Sequence, residues 1–553
     1  MQSVKKFKWI KEIRLSTNFV EVNSHRTEKE NVSRAAGTVG FYTLLSRILG
    51  LVRDMVLAYF FGSKMAADAF FVAFRIPNLL RRFLAEGSLT IAFIPVFTET
   101  LTQKSKQDAF ELARAVLTLL SLLLVVVTIL GVLLSPWIVR IQAYGFGASG
   151  AKYELTVLLT RITFPYIFLV SLVAFFMGVL NSLRHFAAPA ASPILLNVGI
   201  IAGAVWISPW LSEPIVGVAI GVLIGGMLQV LLQVPWFLKK GLSLRPLWMP
   251  EHPAVRKIGL LMLPAIFGSA VYQLNQFIGT LLASFLPQGS ISWLNYADRI
   301  VEFPLGVFAI AISTAALPSL AKQVAGKDLS DFRETLGHSL RLVFFITTPA
   351  TVGMIILRIP IIEVFFQRGA FDRVTTLMTA QALLYYSLGL WAFSASRVML
   401  SAFYAFQDTK TPVKVATITM IANALLSLLL MGPLRHGGLA LALSLSSTVQ
   451  LLFLLFILRR RGDLLDLKSM VSSAGRSLAA SAGMGLVLFY LNGRWLTRGE
   501  PGSFLSHALI LTGVIMAAVA VYFLMAWLFR CPEISSIPGM LKPVFKKSRT
   551  QEK

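Results

Sequence analysis

The stretch "VLTLLSLLLVVVTILGVLLSPWIV" (116–139) holds 24 residues and no charge. Hydrocarbon offers the backbone no hydrogen-bond partner, so a segment like this crosses it as a helix or not at all. Its length suits a core of roughly 30 Å. Similar runs recur from end to end, and no large soluble domain interrupts them. The composition agrees: 56% of the 553 residues are hydrophobic and 14% charged, where soluble domains have about 25% charged. Mean hydropathy is +0.73. The expectation is an all-α integral membrane protein.

Apolar periodicity and loop signals predict fourteen spans: 36–62, 66–98, 112–142, 155–182, 188–210, 214–238, 256–286, 292–322, 338–366, 374–405, 411–432, 437–459, 474–492 and 505–530. The net charge is +25. Lys and Arg concentrate in the N-terminal region, in "LKKGLSLRP" (238–246), "DTKTPVK" (408–414) and "LRRRGDLLDLK" (458–468), and in "KPVFKKSRTQEK" (542–553). The alternate loops have almost none. The positive-inside rule then puts both termini in the cytoplasm, and the basic charge needs no nucleic-acid partner. Residues 1–34 are polar and lack a signal-peptide apolar stretch. They read as a cytoplasmic tail, or as an over-extended start. Cys531 is the only cysteine, which excludes an internal disulfide and a cysteine-based metal site.

Two halves of the chain repeat. "FLAEGSLTIAFIPVF" (83–97) matches "GVFAIAISTAALPSL" (306–320), aligning Pro95 with Pro318. "LNSLRHFAAPAASP" (180–193) matches "FYAFQDTKTPVKVA" (403–416), aligning Pro189 with Pro412. "GVAIGVLIGGMLQVLL" (217–232) matches "GLALALSLSSTVQLLF" (438–453), aligning Gln229 with Gln450. The offset stays at 221 to 223. This predicts two pseudo-symmetric six-helix lobes around a central cationic cavity, at 36–240 and 256–460, joined by a linker at 241–255. Two additional helices follow (461–530), between a basic N-tail (1–35) and C-tail (531–553). Repeated halves of this kind flank a midplane site in transporters.

"ADAFFVAFRIPNLLRRFLAEGSL" (67–89) places charges where hydrocarbon is expected. On a helix, Asp68, Arg75, Arg82 and Glu86 fall within an arc of about 40°, with Arg81 one step aside. A central charge facing lipid costs about 2.5–3.5 kcal/mol, so the stripe must face protein or water. Span 1, "LLSRILGLVRDMVLAYFFG" (44–62), holds Arg47, Arg53 and Asp54. Span 8, "NYADRIVEFPLG" (295–306), holds Asp298, Arg299 and Glu302. These eleven residues are the candidate substrate-binding set. Arginine suits phosphate or carboxylate, because guanidinium donates bidentate bonds and stays charged in a dry site. The alternative is internal pairing: Arg53 with Asp54 or Asp68, Arg82 with Glu86, Arg299 with Asp298 or Glu302. For Arg81 and Arg397, snorkelling to headgroups is a second alternative. Gly217, Gly221 and Gly225 recur every four residues and permit close helix approach, with a hinge as the alternative. The six histidines are scattered. No metal site and no nucleophile–base arrangement is visible, so neither an enzyme nor a cofactor is expected.

"LSRILGLVRDMVLAYFFG", "FRIPNLLRRFLAEG", "WLNYADRIVEFPLGVFAIAISTAALPSLA" and "FYAFQDTKTPVK" resemble the MurJ (MviN) family of lipid II flippases, in the multidrug/oligosaccharidyl-lipid/polysaccharide exporter superfamily. The resemblance covers about 35–530. It implies transport of undecaprenyl-diphosphate-linked disaccharide-pentapeptide from the inner to the outer leaflet of the bacterial cytoplasmic membrane, for peptidoglycan synthesis. The family's essential cavity arginines carry over as Arg47, Arg53, Arg82 and Arg299, and its span-2 acid as Asp68. Spans 13 and 14 would form a groove for the lipid tail. Implied partners are lipid II, membrane lipids and cell-wall synthesis or division proteins, with the chain a monomer. Some members hold sodium with a span-7 carboxylate. Here span 7 carries "YQLNQF" (272–277) without an acid, so no coupling ion is predicted, and a membrane potential or ion gradient is left as the energy source. The competing readings are a flippase for polysaccharide lipids, a drug exporter of the same superfamily, or a membrane scaffold for cell-wall proteins.

Overall fold

The computed structural model describes residues 37–81, 89–496 and 504–536, with side chains omitted at 80–81, 89–91, 263–270, 272, 495–496 and 536. Every regular element among them is helical. Helix α1 spans 37–61. It is followed by α2 (Met65–Arg81), α3 (Leu89–Gln103), α4 (Lys106–Leu133), α5 (Ser135–Gln142), α6 (Ala151–Thr163), α7 (Tyr166–Ser182), α8 (Ala187–Ala202) and α9 (Ile215–Lys239). Then come α10 (Pro253–Ser284), α11 (Ser290–Pro304), α12 (Ile310–Ala325), α13 (Leu329–Phe366), α14 (Arg373–Ser387), α15 (Leu390–Ala405), α16 (Lys410–Leu434), α17 (His436–Arg460), α18 (Leu467–Leu491) and α19 (Phe504–Leu528). Among the described residues, ten helices are long and apolar enough to cross a membrane.

Several expected spans are broken pairs, and the breaks have local causes. Pro136 opens α5 after Leu134, and Pro165 caps α7 after α6 ends at Thr163. Proline has no N–H to continue the ladder. Pro304 ends α11, and a π-turn (Leu305–Ala309) leads into α12. Between α14 and α15 stands Gly389, where a Cβ would come 2.5 Å from Ser444 Oγ. Among the other prolines, Pro77, Pro95 and Pro318 lie inside α2, α3 and α12.

The chain forms two compact units, and each draws on separate stretches. Among the described residues, one comprises those up to Arg53, those within Pro77–Val132 and Ile162–Ile266; the other comprises Asp54–Ile76, Leu133–Arg161 and those from Phe267 onward. In the first unit, α7 packs on α3 and α9, and α9 packs on α8. In the second, α15 packs on α12 and α17, and α17 packs on α16. The aligned residues lie on corresponding helices: Pro95 in α3 and Pro318 in α12, Pro189 in α8 and Pro412 in α16. The repeat is therefore a repeat of packing as well as of sequence.

The α8–α9 interface explains the spaced glycines. A Cβ on Gly221 would lie 2.5 Å from Gly199 O, and one on Gly203 would lie 2.3 Å from Gly217 O. The backbones touch, so the glycines are a packing device. Beside them, Gln229 is buried and donates to Ser192 O at 3.1 Å. The second unit has a large apolar core from α12, α13, α15 and α17, including Leu320, Phe332, Leu340, Phe403 and Leu458.

Candidate functional site

Asp54 sits in α1 where "LVRDMVL" offers no other acid. It is buried and pairs with the Nε of Arg299 in α11. One turn along α11, Glu302 accepts from Arg299 Nη1 at 3.1 Å. The side chains are 7% exposed for Asp54, 35% for Arg299 and 46% for Glu302. The acid at the bottom is sealed, while the guanidinium and the second acid remain reachable. An arginine held by two carboxylates, one of them open, can exchange that partner for another anion. Asp298 lies half-buried on the same helix.

Asp68, near the start of α2, is 1% exposed. Its Oδ2 accepts from Lys152 Nζ at 2.9 Å and from the Gly289 amide at 2.8 Å. Its Oδ1 accepts from the amide and hydroxyl of Ser292, at 3.0 and 2.7 Å. Gly289 occupies the N-cap position of α11 with φ 96° and has no side chain to cap with. Asp68 thus performs from another helix the task a capping residue performs locally, where a carboxylate also meets the positive end of the helix dipole. The Lys152 ammonium also lies 4.0 Å from the centre of the Phe146 ring. The α1–α2 turn is fastened further. Tyr296 donates to Gly62 O at 3.1 Å, the Ala370 amide donates to Tyr59 O at 2.8 Å, and Ser63 and Thr375 hydroxyls meet at 2.8 Å.

Arg75 reaches across to α10. Its guanidinium bonds Thr280 and reaches Gln276 Oε1 at 3.5 Å, both on α10. Arg53, in the other unit, donates to Asn197 Oδ1 at 3.2 Å, and Asn197 donates on to Ser46 O at 3.1 Å. Arg47 is exposed, as is Arg397 on α15. Arg82 and Glu86 lie outside the described residues, and so does the side chain of Arg81.

The structure therefore divides the candidate set. Asp54, Arg299 and Glu302 come together, including the expected Arg299–Glu302 pair. Asp68 takes Lys152 as its cationic partner, so the α2 stripe is split among different neighbours. Lys152, Asn197 and Thr280 were missed by the sequence reading. Lys152 fell just outside the span expected at 155–182. Asn197 carried a legible signal, an amide inside "PILLNVGII". In span 7, Asn275 accepts from Asn423 at 2.9 Å, and Ser446 lies 3.4 Å from Asn423 Oδ1. This is a neutral network. Among the described residues, no group of three His, Cys, Asp or Glu could hold a metal ion.

Helices long and apolar enough to cross a membrane, in a repeated arrangement and with buried charges paired between them, define a polytopic membrane protein. The fold agrees with that of a multidrug MATE transporter of the MOP superfamily in an inward-facing conformation: TM-score 0.66, 13% identity, 75% of this chain and 94% of that one. A solved structure of "Lipid II flippase MurJ, inward closed conformation" gives TM-score 0.75 at 28% identity, over 90% of this chain and 99% of that one. The family model "Lipid II flippase MurJ" matches residues 57–510. The lipid II flippase MurJ of Burkholderia cenocepacia is 36% identical over 90% of this chain and 97% of its own length. A probable lipid II flippase MurJ of Vibrio cholerae is 38% identical over 90% of this chain and 96% of its own length. The chain belongs to the MurJ family of lipid II flippases, multi-pass proteins of the bacterial inner membrane.

Proposed function

We infer that the chain flips lipid II from the inner to the outer leaflet of the cytoplasmic membrane, with both termini in the cytoplasm. Its relatives' names support the substrate. The observation that carries the mechanism is the Asp54–Arg299–Glu302 cluster, an intramembrane guanidinium with one sealed and one open acid partner. A diphosphate approaching Arg299 competes with Glu302 first, and Asp54 keeps the arginine aimed while it does so. A diphosphate brings more negative charge to the guanidinium than the single carboxylate of Glu302, so the exchange favours the substrate.

Alternating access follows if the two states bind substrate unequally. Arg47, Arg53, Arg75, Arg81, Arg82 and Arg299 would hold the diphosphate and the sugars. Asp54, Asp68, Glu86, Asp298 and Glu302 would restrain those arginines when substrate is absent. The lobes would be 36–240 and 256–460, and helices within 461–530 would guide the lipid tail, which stays in the bilayer. The chain would act as a monomer, with cell-wall synthesis proteins as neighbours.

The test is complementation in a bacterium depleted of its own flippase, with lipid II exposure at the outer leaflet as the readout. Wild type is expected to rescue, and Arg53→Ala and Arg299→Ala to fail although membrane-inserted. Rescue indifferent to both arginines would overturn the mechanism. Failure of a well-expressed wild type would overturn the substrate.

A further inference from the structure

In some members of the family a carboxylate of the seventh span holds sodium. That span is α10 here, and its sequence contains no aspartate or glutamate. Neither do the sequences of α16 and α17, the packed pair that α10 meets through Asn275.

The polar atoms at this meeting point engage one another. Asn275 Oδ1 accepts from Asn423 Nδ2 of α16 at 2.9 Å. Asn423 is 6% exposed, and its Oδ1 lies 3.4 Å from Ser446 Oγ of α17. Ser446 is buried as well and donates to Leu443 O at 3.0 Å. On α16, Thr419, Asn423 and Ser427 recur every four residues and are all buried, so one polar stripe is turned to the neighbouring helices. Thr419 donates to Ala416 O at 3.0 Å.

The next residue of α10, Gln276, faces a cation that belongs to the chain. Arg75 of α2 reaches Gln276 Oε1 at 3.5 Å and bonds Thr280, one turn further along α10. A guanidinium stays charged even in a dry site. It meets oxygens of α10 as a metal ion would, and its tether keeps it there.

A free alkali cation does not fit this donor set. A buried charge persists where an opposite charge or a set of ligand atoms compensates its lost hydration. α10, α16 and α17 bring no carboxylate to neutralise a second cation, the Asn275 carbonyl is held by the Asn423 amide, and Arg75 repels positive charge from the same face.

We propose that this chain couples transport to no bound alkali cation, because the polar face of α10 is satisfied from within: by the Arg75 guanidinium of α2 and by the Asn423 amide of α16. For transport itself this rests on the flippase reading above. The neutral network does the structural work of an ion, holding α10, α16 and α17 together in any salt.

Melting of the full-length chain in detergent, in sodium chloride and in choline chloride at equal ionic strength, tests this, since a ligand that binds only the folded protein raises its melting temperature. Wild type is expected to melt alike in the two salts. Asn423→Ala cuts the network and should melt lower, by the same shift in both. Asn275→Asp supplies a carboxylate and should melt higher in sodium than in choline. A sodium-specific rise in wild type would overturn the proposal, and its loss in Asn275→Ala would place the ion in this network. Equal melting of Asn275→Asp in both salts would also sink it, because the missing carboxylate would not be what keeps sodium out. The second measurement is lipid II exposure with sodium replaced by choline and the membrane potential held. An unchanged rate is expected, and a rate that falls would refute the proposal. No flipping in either salt would overturn the flippase reading instead, and the melting comparison would then decide the cation question alone.

Discussion

Asp68 caps a helix it does not belong to: it receives the Ser292 amide at 3.0 Å and the Gly289 amide at 2.8 Å, across more than two hundred residues of sequence. The capped helix, α11, carries Arg299, so the residue that anchors the start of that helix also sets where the guanidinium sits.

Asp68→Ala should therefore act at a distance. It removes a buried carboxylate from Lys152 and from two amides, a loss of about 3–5 kcal/mol when one partner of a buried pair goes. The expected result is a large drop in melting temperature in detergent, together with loss of flipping. Asp68→Asn keeps an acceptor for the amides and should recover part of the stability. Equal melting of wild type and Asp68→Ala would refute the cap.

Asp54 and Arg299 should be energetically coupled. In a double-mutant cycle on thermal stability, Asp54→Asn and Arg299→Gln together should cost less than the sum of the two. Contacting charged residues give an interaction of about 0.5–3 kcal/mol. Glu302→Gln should show weaker coupling to Arg299, because its side chain is 46% exposed and solvent screens it. Strict additivity at Asp54–Arg299 would mean that the pair carries no energy.

Much of this was readable in the sequence, for physical reasons. Hydrocarbon forces long apolar runs into helices, so span positions followed from composition: α9, α16 and α17 lie within two residues of their expected ends. The internal breaks were less legible. Gly389 and Pro165 sit in runs that remain apolar on both sides, and hydropathy does not register a lost N–H. Helix ends at Lys327, Gln407 and Arg530 use the left-handed conformation without glycine, so the usual stop signal is missing there. At the site, the buried charges were legible because charge in hydrocarbon is costly. Apart from Arg299–Glu302, which lies within one helix, their partners were not. Asp68 with Lys152 and Arg75 with Thr280 join segments 84 and 205 residues apart, and helical periodicity sees only one face of one helix.

The glycines of α8 and α9 give a contrast of position. Gly221→Ala places a methyl 2.5 Å from Gly199 O, and Gly199→Ala places one 2.5 Å from the Gly225 backbone. Neither neighbour is a side chain that can turn away. Each change should cost at least about 1–3 kcal/mol, the usual range for overpacking. Gly279, in α10, has nothing within 4 Å of its would-be Cβ, and alanine there should be neutral or stabilising by about 0.5–1 kcal/mol. Thermal unfolding of the three variants in one detergent checks this. A Gly221→Ala protein as stable as Gly279→Ala would show that the helices are further apart.

Asp408 should give the protein an acid limb. Burial alone raises its pKa, but the Thr411 hydroxyl and amide and Arg461 outweigh burial and hold the carboxyl down to about 2. A carboxyl depressed on folding stabilises the native state above its unfolded pKa, about 3.9, and loses that contribution as pH falls toward the folded value. The melting-temperature gap between wild type and Asp408→Asn should thus be constant above about pH 5 and shrink between about pH 4 and 2. Arg461→Gln should raise the Asp408 pKa and move that decline to higher pH. A gap that stays flat down to pH 2 would mean that folding does not shift the Asp408 pKa, and that the pairing with Arg461 does not hold in solution.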